Sequence, residues 1–374
     1  MTRRHSALAC VLLLPGISAL APPTLGAQQH PDPAYIVREI PAADTVHILS
    51  AGREAQPWQE PAPGDAVRFG VLDGAEHEVL GGVDAVVTGP DGKIFILDRR
   101  SAVVRVLGAD GRYLGRVGRS GRGPGDFFHP GAMAVDAHGF LYVGDLLRRV
   151  QRFRPTTRGF ELDTVLQTGV SALGLCLIDS LVVLHGVNPG EPGVVHLFDQ
   201  RGRKLRSFGE VYRSPSRILN HQFSQGKVAC LERSRRVAFT PDNGGLVSLR
   251  IFDLEGRTRR IVAAPGLQSN IVTEAENEGY SVRLSPDGNH VVTGLLQTPD
   301  GRLLLQVALL NARSREEGTP YAELYTAVID PSGGQPASYS RRTGRIGAFT
   351  RGRPVFVVEE PAPAVVWTRA IALP

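Results

Sequence analysis

The fold is decided by residues 86–98, which read VVTGPDGKIFILD. An apolar run leads into a Pro-Asp-Gly turn, and a second apolar run follows and ends at Asp98. Proline presets φ in the turn and glycine accepts a left-handed backbone, so this order predicts a β-hairpin. The same order recurs in residues 133–145, MAVDAHGFLYVGD, and in residues 295–305, LLQTPDGRLLL. The chain therefore repeats one hairpin unit.

Looser copies of the hairpin complete the series, and they cover residues 175–184, 228–239 and 348–358. A second hairpin follows several copies, with turns at residues 109–111, 199–202 and 253–256. Each unit is therefore predicted to contain four antiparallel strands.

The spacing of the units predicts how they assemble. Their first turns lie 47, 41, 55, 66 and 51 residues apart, counted between Gly92, Gly139, Ser180, Arg235, Gly301 and Gly352. Four-stranded propeller blades repeat about every 40–50 residues, and insertions lengthen some intervals. A small sheet cannot bury both of its faces alone, whereas radially stacked blades cover one another. We therefore predict an all-β fold, a six-bladed β-propeller of four-stranded antiparallel blades.

We expect the propeller to occupy residues 67–374 and to be closed by an N-terminal strand that completes the last blade. Two stretches are candidates for that strand, residues 45–49 and residues 67–72. Residues 28–66 then form an N-terminal extension that includes a Pro-rich strap at residues 56–64.

Residues 1–27 have the order of a secretory signal peptide. Arg3 and Arg4 give a positive start, residues 7–14 are apolar, and small residues lead to Ala27, after which the chain turns polar. The apolar run is shorter than the about 20 residues that a transmembrane helix needs, which disfavours the alternative of an uncleaved anchor. We expect cleavage near Ala27 and a periplasmic or extracellular protein, which contacts a membrane only through a partner.

Cleavage would leave two cysteines, Cys176 and Cys230, which are 54 residues apart in adjacent units. An oxidising compartment permits them to pair, but a disulfide requires Cα atoms within about 7 Å. We expect two buried thiols, with the disulfide as the alternative. The sequence contains no CxxC motif and no Cys/His cluster with zinc spacing.

Composition and charge exclude several classes of protein. A hydrophobic share of 42% excludes wholesale disorder, and 43 Gly with 27 Pro favour many turns over long helices. Lys and Arg exceed Asp and Glu by 42 to 37, but the cations are scattered along the chain. A nucleic-acid-binding protein concentrates its cations on one stripe. We therefore expect no nucleic-acid partner.

Residues 117–130, VGRSGRGPGDFFHP, follow the second hairpin of the first unit. This stretch resembles the interblade motif of NHL-repeat propellers, and the chain is similar to secreted bacterial six-bladed β-propellers over residues 81–155. The resemblance implies six blades and most often a binding role, without fixed catalytic residues. The glycines at 118–125 are not followed by the Lys-Ser/Thr ending of a phosphate-binding loop, and they precede a strand. We interpret them as a reversal that lets Phe127 and Phe128 pack between blades.

Repeated and unique polar residues are interpreted differently. Asp98 and Asp145 end equivalent strands, which predicts hydrogen bonds to the backbone of the following turn. Six-bladed lactonases and lyases gather Glu, Asn, Asp or His around the axis to hold a metal. Unique residues of these types are the weak metal-ligand candidates in this chain: His185, Asn188, Asn220 and His221. Their spacing does not identify a set, so we predict no cofactor.

Two charged insertions are the predicted partner surface, since binding residues collect on loops that a rigid scaffold holds. Residues 264–289 separate the fourth and fifth units, and residues 311–320 lengthen a hairpin of the fifth. Their charged residues are Glu274, Glu276, Glu278, Arg313, Arg315, Glu316 and Glu317. We predict a non-catalytic binding or scaffold propeller of the envelope that engages a protein, peptide or glycan, and an accessory subunit of a membrane complex is one form that this role can take. The alternative is a metal-dependent hydrolase or lyase, or a quinoprotein-like enzyme, with its site at the axis.

Overall fold

The computed structural model describes residues 44–45, 61–62, 64–188, 191–213, 216–242, 247–264, 271–275, 279–283, 289–310, 322–333, 338–342, 344–359 and 361–368. Within these ranges the chain forms six sheets of antiparallel blade strands, and each blade follows the preceding one in the sequence. The predicted six-bladed β-propeller of four-stranded blades is confirmed.

Two strands, β1 (Asp44–Thr45) and β2 (Ala66–Phe69), precede the first blade. Blade 1 contains β3 (Ala85–Thr88), β4 (Ile94–Asp98), β5 (Val103–Leu107) and β6 (Tyr113–Val117). Blade 2 contains β7 (Pro130–Val135), β8 (Leu141–Asp145), β9 (Arg149–Thr156) and β10 (Gly159–Gln167). Blade 3 contains β11 (Gly174–Ile178), β12 (Leu181–His185), β13 (Val195–Phe198) and β14 (Lys204–Phe208).

The second half of the ring is interrupted by a short helix and a hairpin. Helix α1 (Arg217–Phe223) leads into blade 4, which contains β15 (Gly226–Leu231), β16 (Arg236–Pro241), β17 (Val247–Asp253) and β18 (Thr258–Ala264). A separate hairpin of β19 (Ile271–Ala275) and β20 (Gly279–Arg283) follows. Blade 5 contains β21 (Asn289–Gln297), β22 (Leu303–Leu310), β23 (Ala322–Ile329) and β24 (Ser338–Arg342). Blade 6 contains β25 (Arg345–Thr350), β26 (Arg353–Val358) and β27 (Ala364–Thr368).

The first turn of each blade requires a left-handed residue. Gly92 and Gly139 supply it in blades 1 and 2, each with φ of 82°. In the looser copies of blades 3 and 4, Asp179 and Arg235 adopt φ of 51°. The turn geometry is therefore kept even where glycine is absent, which explains why these copies are harder to recognise in the sequence.

The core consists of six apolar clusters, one between each pair of neighbouring blades. Between blades 1 and 2, for example, Phe95 and Leu97 pack with Phe127 and Leu141. The predicted packing role of Phe127 is therefore observed, whereas Phe128 is half-buried and lies under the Arg122 guanidinium, 4.3 Å from the ring centre. Because every blade contributes to two clusters, removing one blade would expose two apolar faces.

The ring is closed by β2, which pairs antiparallel with β27 as the fourth strand of blade 6. Of the two stretches considered for this role, the one beginning at Val67 is therefore correct. Thr45 lies elsewhere, since β1 pairs in parallel with β18 on the outer edge of blade 4. Val67 and Phe69 are both buried against blade 1, so the closing strand also fills the interface between the first and last blades.

The expectation of two free thiols is wrong, because Cys176 and Cys230 form a disulfide with Cα atoms 5.7 Å apart. Cys176 lies in β11 and Cys230 in β15, the first strands of blades 3 and 4. First strands of neighbouring blades converge towards the axis, so two residues 54 positions apart become neighbours. Sequence spacing alone does not reveal that convergence.

We expect removal of β2 to destabilise the whole ring. Burial of the Val67 and Phe69 side chains stabilises the fold by about 1.5–3 kcal/mol each. A chain that begins at residue 71 should therefore lose at least about 3 kcal/mol of unfolding free energy relative to one that begins at residue 61. The longer chain is the matched control, because it lacks β1 and retains β2. Equal midpoints of the two chains in urea denaturation would contradict closure by β2.

Candidate functional site

A cavity of about 1500 Å³ opens along the axis of the ring. The first strands of all six blades line it. Strand direction alternates within a blade, so the face where the first strands begin is also the face where the second strands end and the third strands begin. We call the cavity the axial funnel and this face the mouth face.

The walls of the axial funnel combine apolar and polar surface in similar proportions. Blades 2 and 3 contribute Ala132, Met133, Leu173 and Leu175 together with two glycines, and no charged side chain. The charges come from the remaining blades, and they are Arg68, Asp84, Arg99, Lys227, Asp242, Glu323, Arg345 and Glu359. Four cations and four carboxylates therefore stand against an apolar arc, an arrangement that suits an amphipathic ligand.

In two blades, the charges at the mouth face neutralise one another. In blade 1, Nη2 of Arg99 lies 2.8 Å from the Asp84 carboxylate, which also accepts a hydrogen bond from the Arg99 backbone N–H. In blade 4, Nζ of Lys227 lies 3.4 Å from the Asp242 carboxylate. These carboxylates and cations are already paired before any ligand binds.

The corresponding pair in blade 6 is open. In blade 4, Lys227 is opposite Thr240, and Asp242 lies two residues after Thr240 on the same strand. In blade 6, Arg345 is opposite Val357, and Glu359 likewise lies two residues after Val357. Arg345 donates one hydrogen bond, from Nη2 to the Val83 carbonyl at 2.5 Å. Within the part of the chain that the structure describes, no carboxylate lies within the 4.0 Å of an ion pair with Arg345.

The electrostatic environment of Arg345 follows from this placement. Desolvation by burial lowers the pKa of its guanidinium, and the charges of Glu359 and Asp84 act in the opposite direction. A second polar group of the wall also lacks a partner: Thr293, the extra residue of a bulge in β21, has a buried hydroxyl with no hydrogen bond among the described residues. The funnel wall therefore holds polar groups that protein contacts leave unsatisfied.

The predicted turn bonding of Asp98 and Asp145 is observed, since each carboxylate accepts a backbone N–H of the following turn. Sequence reasoning missed their second partners. Arg105 places Nη1 2.8 Å from the Asp98 carboxylate and donates to the carbonyls of His77 and Val79. Arg149 binds the Asp145 carboxylate and the carbonyls of Arg122 and Asp126 in the same way. Each of the two arginines therefore fixes the segment that leads into its own blade. These buried pairs are structural and lie outside the funnel lining.

Of the four metal-ligand candidates, His185 is fully buried at the end of β12. Its Nδ1–H donates to the Val194 carbonyl at 2.8 Å, and its Nε2 accepts the Gly226 N–H at 3.0 Å. Burial, with the positive charge of Lys227 nearby, lowers the pKa of His185 to about 3 despite the Val194 hydrogen bond, so the ring is neutral. Both ring nitrogens are therefore occupied by backbone groups: Nδ1 bonds within blade 3, and Nε2 connects blade 3 to blade 4.

The other three candidates make separate contacts. Asn188 donates to the Gly169 carbonyl at 2.9 Å, and Asn220 and His221 lie on α1, with His221 exposed. Among the described residues, no group of three His, Cys, Asp or Glu side chains is arranged to hold a metal ion. The structure does not bring the four candidates into one site.

The charged insertions are only partly within the described ranges. Glu274 lies in β19, whereas Glu276, Glu278, Arg313, Arg315, Glu316 and Glu317 lie outside the described residues. The strand ends that flank the insertions are described. Strand β18 ends at the mouth face and β21 begins there, on either side of the first insertion. Strand β22 also ends at the mouth face and β23 begins there, on either side of the second insertion. Both insertions therefore leave and re-enter the blades on the face where the funnel opens.

Comparisons with known proteins agree with the architecture. A family model described as a 6-bladed beta-propeller (DUF5128) matches residues 65–156, from β2 to the third strand of blade 2. A member of the DUF4221 family from Bacteroides vulgatus is similar in structure, with 10% identity, a TM-score of 0.53 and coverage of 81% of this chain and 95% of that chain. A Bacteroides fragilis protein described as a putative exported protein is also similar in structure, with 13% identity and a TM-score of 0.50. The match covers 88% of this chain and 99% of that chain.

Likeness at these identities is evidence of the fold alone. No curated protein matches the chain. In the part of the chain that the structure describes, no helix has the length and apolar character required to cross a membrane.

The burial of neutral His185 predicts a dependence of stability on pH. Because the folded pKa is about 3 and the ordinary value is 6.5, the unfolded chain binds this proton first as the pH falls. The contribution is fully present above pH 6.5 and declines between pH 6.5 and 3, by about 1.4 kcal/mol per pH unit. His185→Gln should have a lower unfolding free energy than the wild type at pH 7.5 in urea denaturation. Between pH 7.5 and pH 4.5 its unfolding free energy should fall less than that of the wild type.

His138→Gln is the matched control, because His138 is exposed in a first-hairpin turn. It should retain the wild-type dependence on pH, since the substitution leaves the buried His185 ring and its two backbone contacts in place. An unchanged slope in the His185 variant would refute the assignment of this proton to His185.

Proposed function

We propose that the protein is a non-catalytic binding propeller of the cell envelope that holds a peptide or protein segment in the axial funnel. The observation that carries this proposal is the funnel itself: an open cavity of about 1500 Å³ with an apolar arc on blades 2 and 3 and charges of both signs on the other blades. Such a cavity offers apolar burial and several oriented polar groups. A peptide chain has apolar side chains, amides and charges, which are the matching features.

The position of the two charged insertions supports the same face. Residues 264–289 and 311–321 both start and end at strand termini on the mouth face. Loops held by a rigid scaffold are the usual carriers of binding residues. Our proposal therefore assigns the predicted partner surface and the funnel to one binding face, with the funnel as its centre.

Two observations support the envelope as the compartment. The first is the signal-like order of residues 1–27. The second is the Cys176–Cys230 disulfide, because structural disulfides persist in oxidising compartments and are rare in the cytosol. We also propose that the protein belongs to the secreted NHL-type propellers, because residues 117–130 resemble their interblade motif.

The binding face can be tested by blocking one side of the ring at a time. Glu359→Cys at the mouth face and His138→Cys in a turn of the opposite face both introduce an exposed thiol. The test uses a chain that begins at Gln28 and therefore lacks Cys10. Cys176 and Cys230 are bonded to each other, so the introduced cysteine is the free thiol that reacts with a maleimide-linked polyethylene glycol. The modified proteins are used to capture partners from native envelope extracts, and the partners are identified by mass spectrometry.

We expect the conjugate at position 359 to lose the partners that the unmodified protein captures, because the polymer covers the funnel. The conjugate at position 138 should retain them. Retention by both conjugates would rule out the mouth face, and loss only at position 138 would move the site to the opposite face.

Export predicts a specific state of the mature chain. N-terminal sequencing of protein from the periplasm or the medium should find a first residue near Gln28, and Cys176 and Cys230 should resist thiol labelling in denaturant until a reductant is added. A cytoplasmic product that retains Met1 and carries three free thiols, Cys10 included, would contradict the envelope assignment.

A further inference from the structure

Arg345 is a half-buried cation of the funnel that has no carboxylate within ion-pair distance among the described residues. Two other cations of the lining, Arg99 and Lys227, have carboxylates at 2.8 Å and 3.4 Å. The remaining cation of the lining, Arg68, is exposed and donates to the Ala362 carbonyl at 3.2 Å. Arg345 is only half-exposed, and its single hydrogen bond occupies Nη2. Its Nε and Nη1 groups have no acceptor within the described residues.

The acids near Arg345 do not supply the missing partner. The Asp84 carboxylate is engaged by the backbone and side chain of Arg99. Glu359 is exposed and is not among the ion pairs formed by the described residues, although it lies close enough to influence the pKa of Arg345. The guanidinium is held in place by the Val83 carbonyl, so its remaining N–H groups are oriented before a ligand arrives.

The Val83 carbonyl occupies one of the two Nη2 hydrogens, so one edge of the Arg345 guanidinium keeps two parallel N–H groups. Planar carboxylates accept two parallel hydrogen bonds from arginine, and such charge-assisted pairs are stronger than neutral ones. A partly desolvated cation also gains more from an opposite charge than a solvated one does. Apolar residues beside Arg345 in the lining, which include Leu324 and Val358, favour an apolar group next to the ligand carboxylate.

We propose that Arg345 is a carboxylate-recognition residue and that the axial funnel takes a ligand with a terminal carboxylate on an apolar body, namely the C-terminal end of a peptide. This inference rests on the proposed function and names the chemical group that the funnel selects. Glu359 is exposed and lies two residues after Val357, the residue opposite Arg345 on the neighbouring strand. Its negative charge disfavours the binding of a second anion beside Arg345.

The test is a competition between acid and amide forms of one probe. The probe is a pool of N-acetylated tetrapeptides of Ala, Val and Leu, prepared with a free C-terminal carboxylate and with a C-terminal amide. Native mass spectrometry of the mature protein with both pools measures their relative occupancy. Octanoate, which has a carboxylate and an apolar chain without peptide groups, forms a separate arm.

The wild type should favour the acid pool by about tenfold or more, as expected for a charge-assisted pair. Arg345→Gln should remove that preference. Arg154→Gln is the matched control, because it removes the same charge from a cation that is paired with Glu161 on the outer strands of blade 2, outside the funnel lining. Arg345→Lys keeps the charge without the fork, so it should retain a reduced preference, and it carries the test if the glutamine variant does not fold.

The outcomes separate this inference from the proposed function. Equal binding of acids and amides, or an acid preference that survives Arg345→Gln, would overturn the role of Arg345 and leave peptide binding intact. Arg345-dependent binding of octanoate without any peptide binding would support carboxylate recognition and overturn the peptide as ligand. Binding of none of the three probes would overturn both.

Discussion

The structure depends on one constraint: each blade has two apolar faces, and only a neighbouring blade can cover each of them. Six apolar clusters meet this requirement, and the last of them exists only because the chain returns to its starting point. The closing strand β2 carries Val67 and Phe69 into the cluster between blades 6 and 1. Trp367 of β27 reaches across the same interface and donates to the Ala109 carbonyl at 3.0 Å.

Closure has a direct consequence for where binding can occur. In a closed ring the first strands surround one axis, and strand alternation brings the same strand ends to the same face in all six blades. Side chains that are far apart in the sequence, such as Asp84, Lys227 and Glu323, therefore line one cavity. A binding site at the mouth face needs no local motif, which is the physical reason why spacing in the sequence does not identify it.

The elements that could be predicted from sequence are those fixed by local chemistry. Turn residues and alternating apolar runs revealed the blades, and the repeated position of Asp98 and Asp145 indicated their bonds to the following turns. Features that depend on contacts between distant residues could not be predicted. Arg105 is fixed by carbonyls 26 and 28 residues away, and Cys176 pairs with a cysteine on the next blade. Arg345 contacts a carbonyl 262 positions earlier in the chain, and nothing distinguishes it in the sequence from the many other arginines.

Unique polar residues illustrate the same distinction. His185 stood out in the sequence because the equivalent positions of blades 1 and 2 hold aspartates. In the structure, His185 has a structural role: its Nε2 accepts the Gly226 N–H and so connects blade 3 to blade 4. In blade 2 and blade 1, buried arginine–aspartate pairs hold the segments that enter those blades. One structural position is thus served by different chemistry in different blades, so rarity in the sequence is not by itself a sign of a ligand site.

The interface between blades 6 and 1 joins closure to binding. Arg345 donates to Val83 across this interface at the start of the first strands, and Thr88 donates to the Phe349 carbonyl at 2.7 Å towards their other end. It is the interface that forms from the two ends of the chain rather than between consecutive blades. A ligand that binds only the folded ring stabilises it by RT ln(1 + [L]/Kd). A carboxylate held by Arg345 would therefore stabilise the ring at the interface where the chain closes, because the residue that contacts the ligand also bonds across that interface.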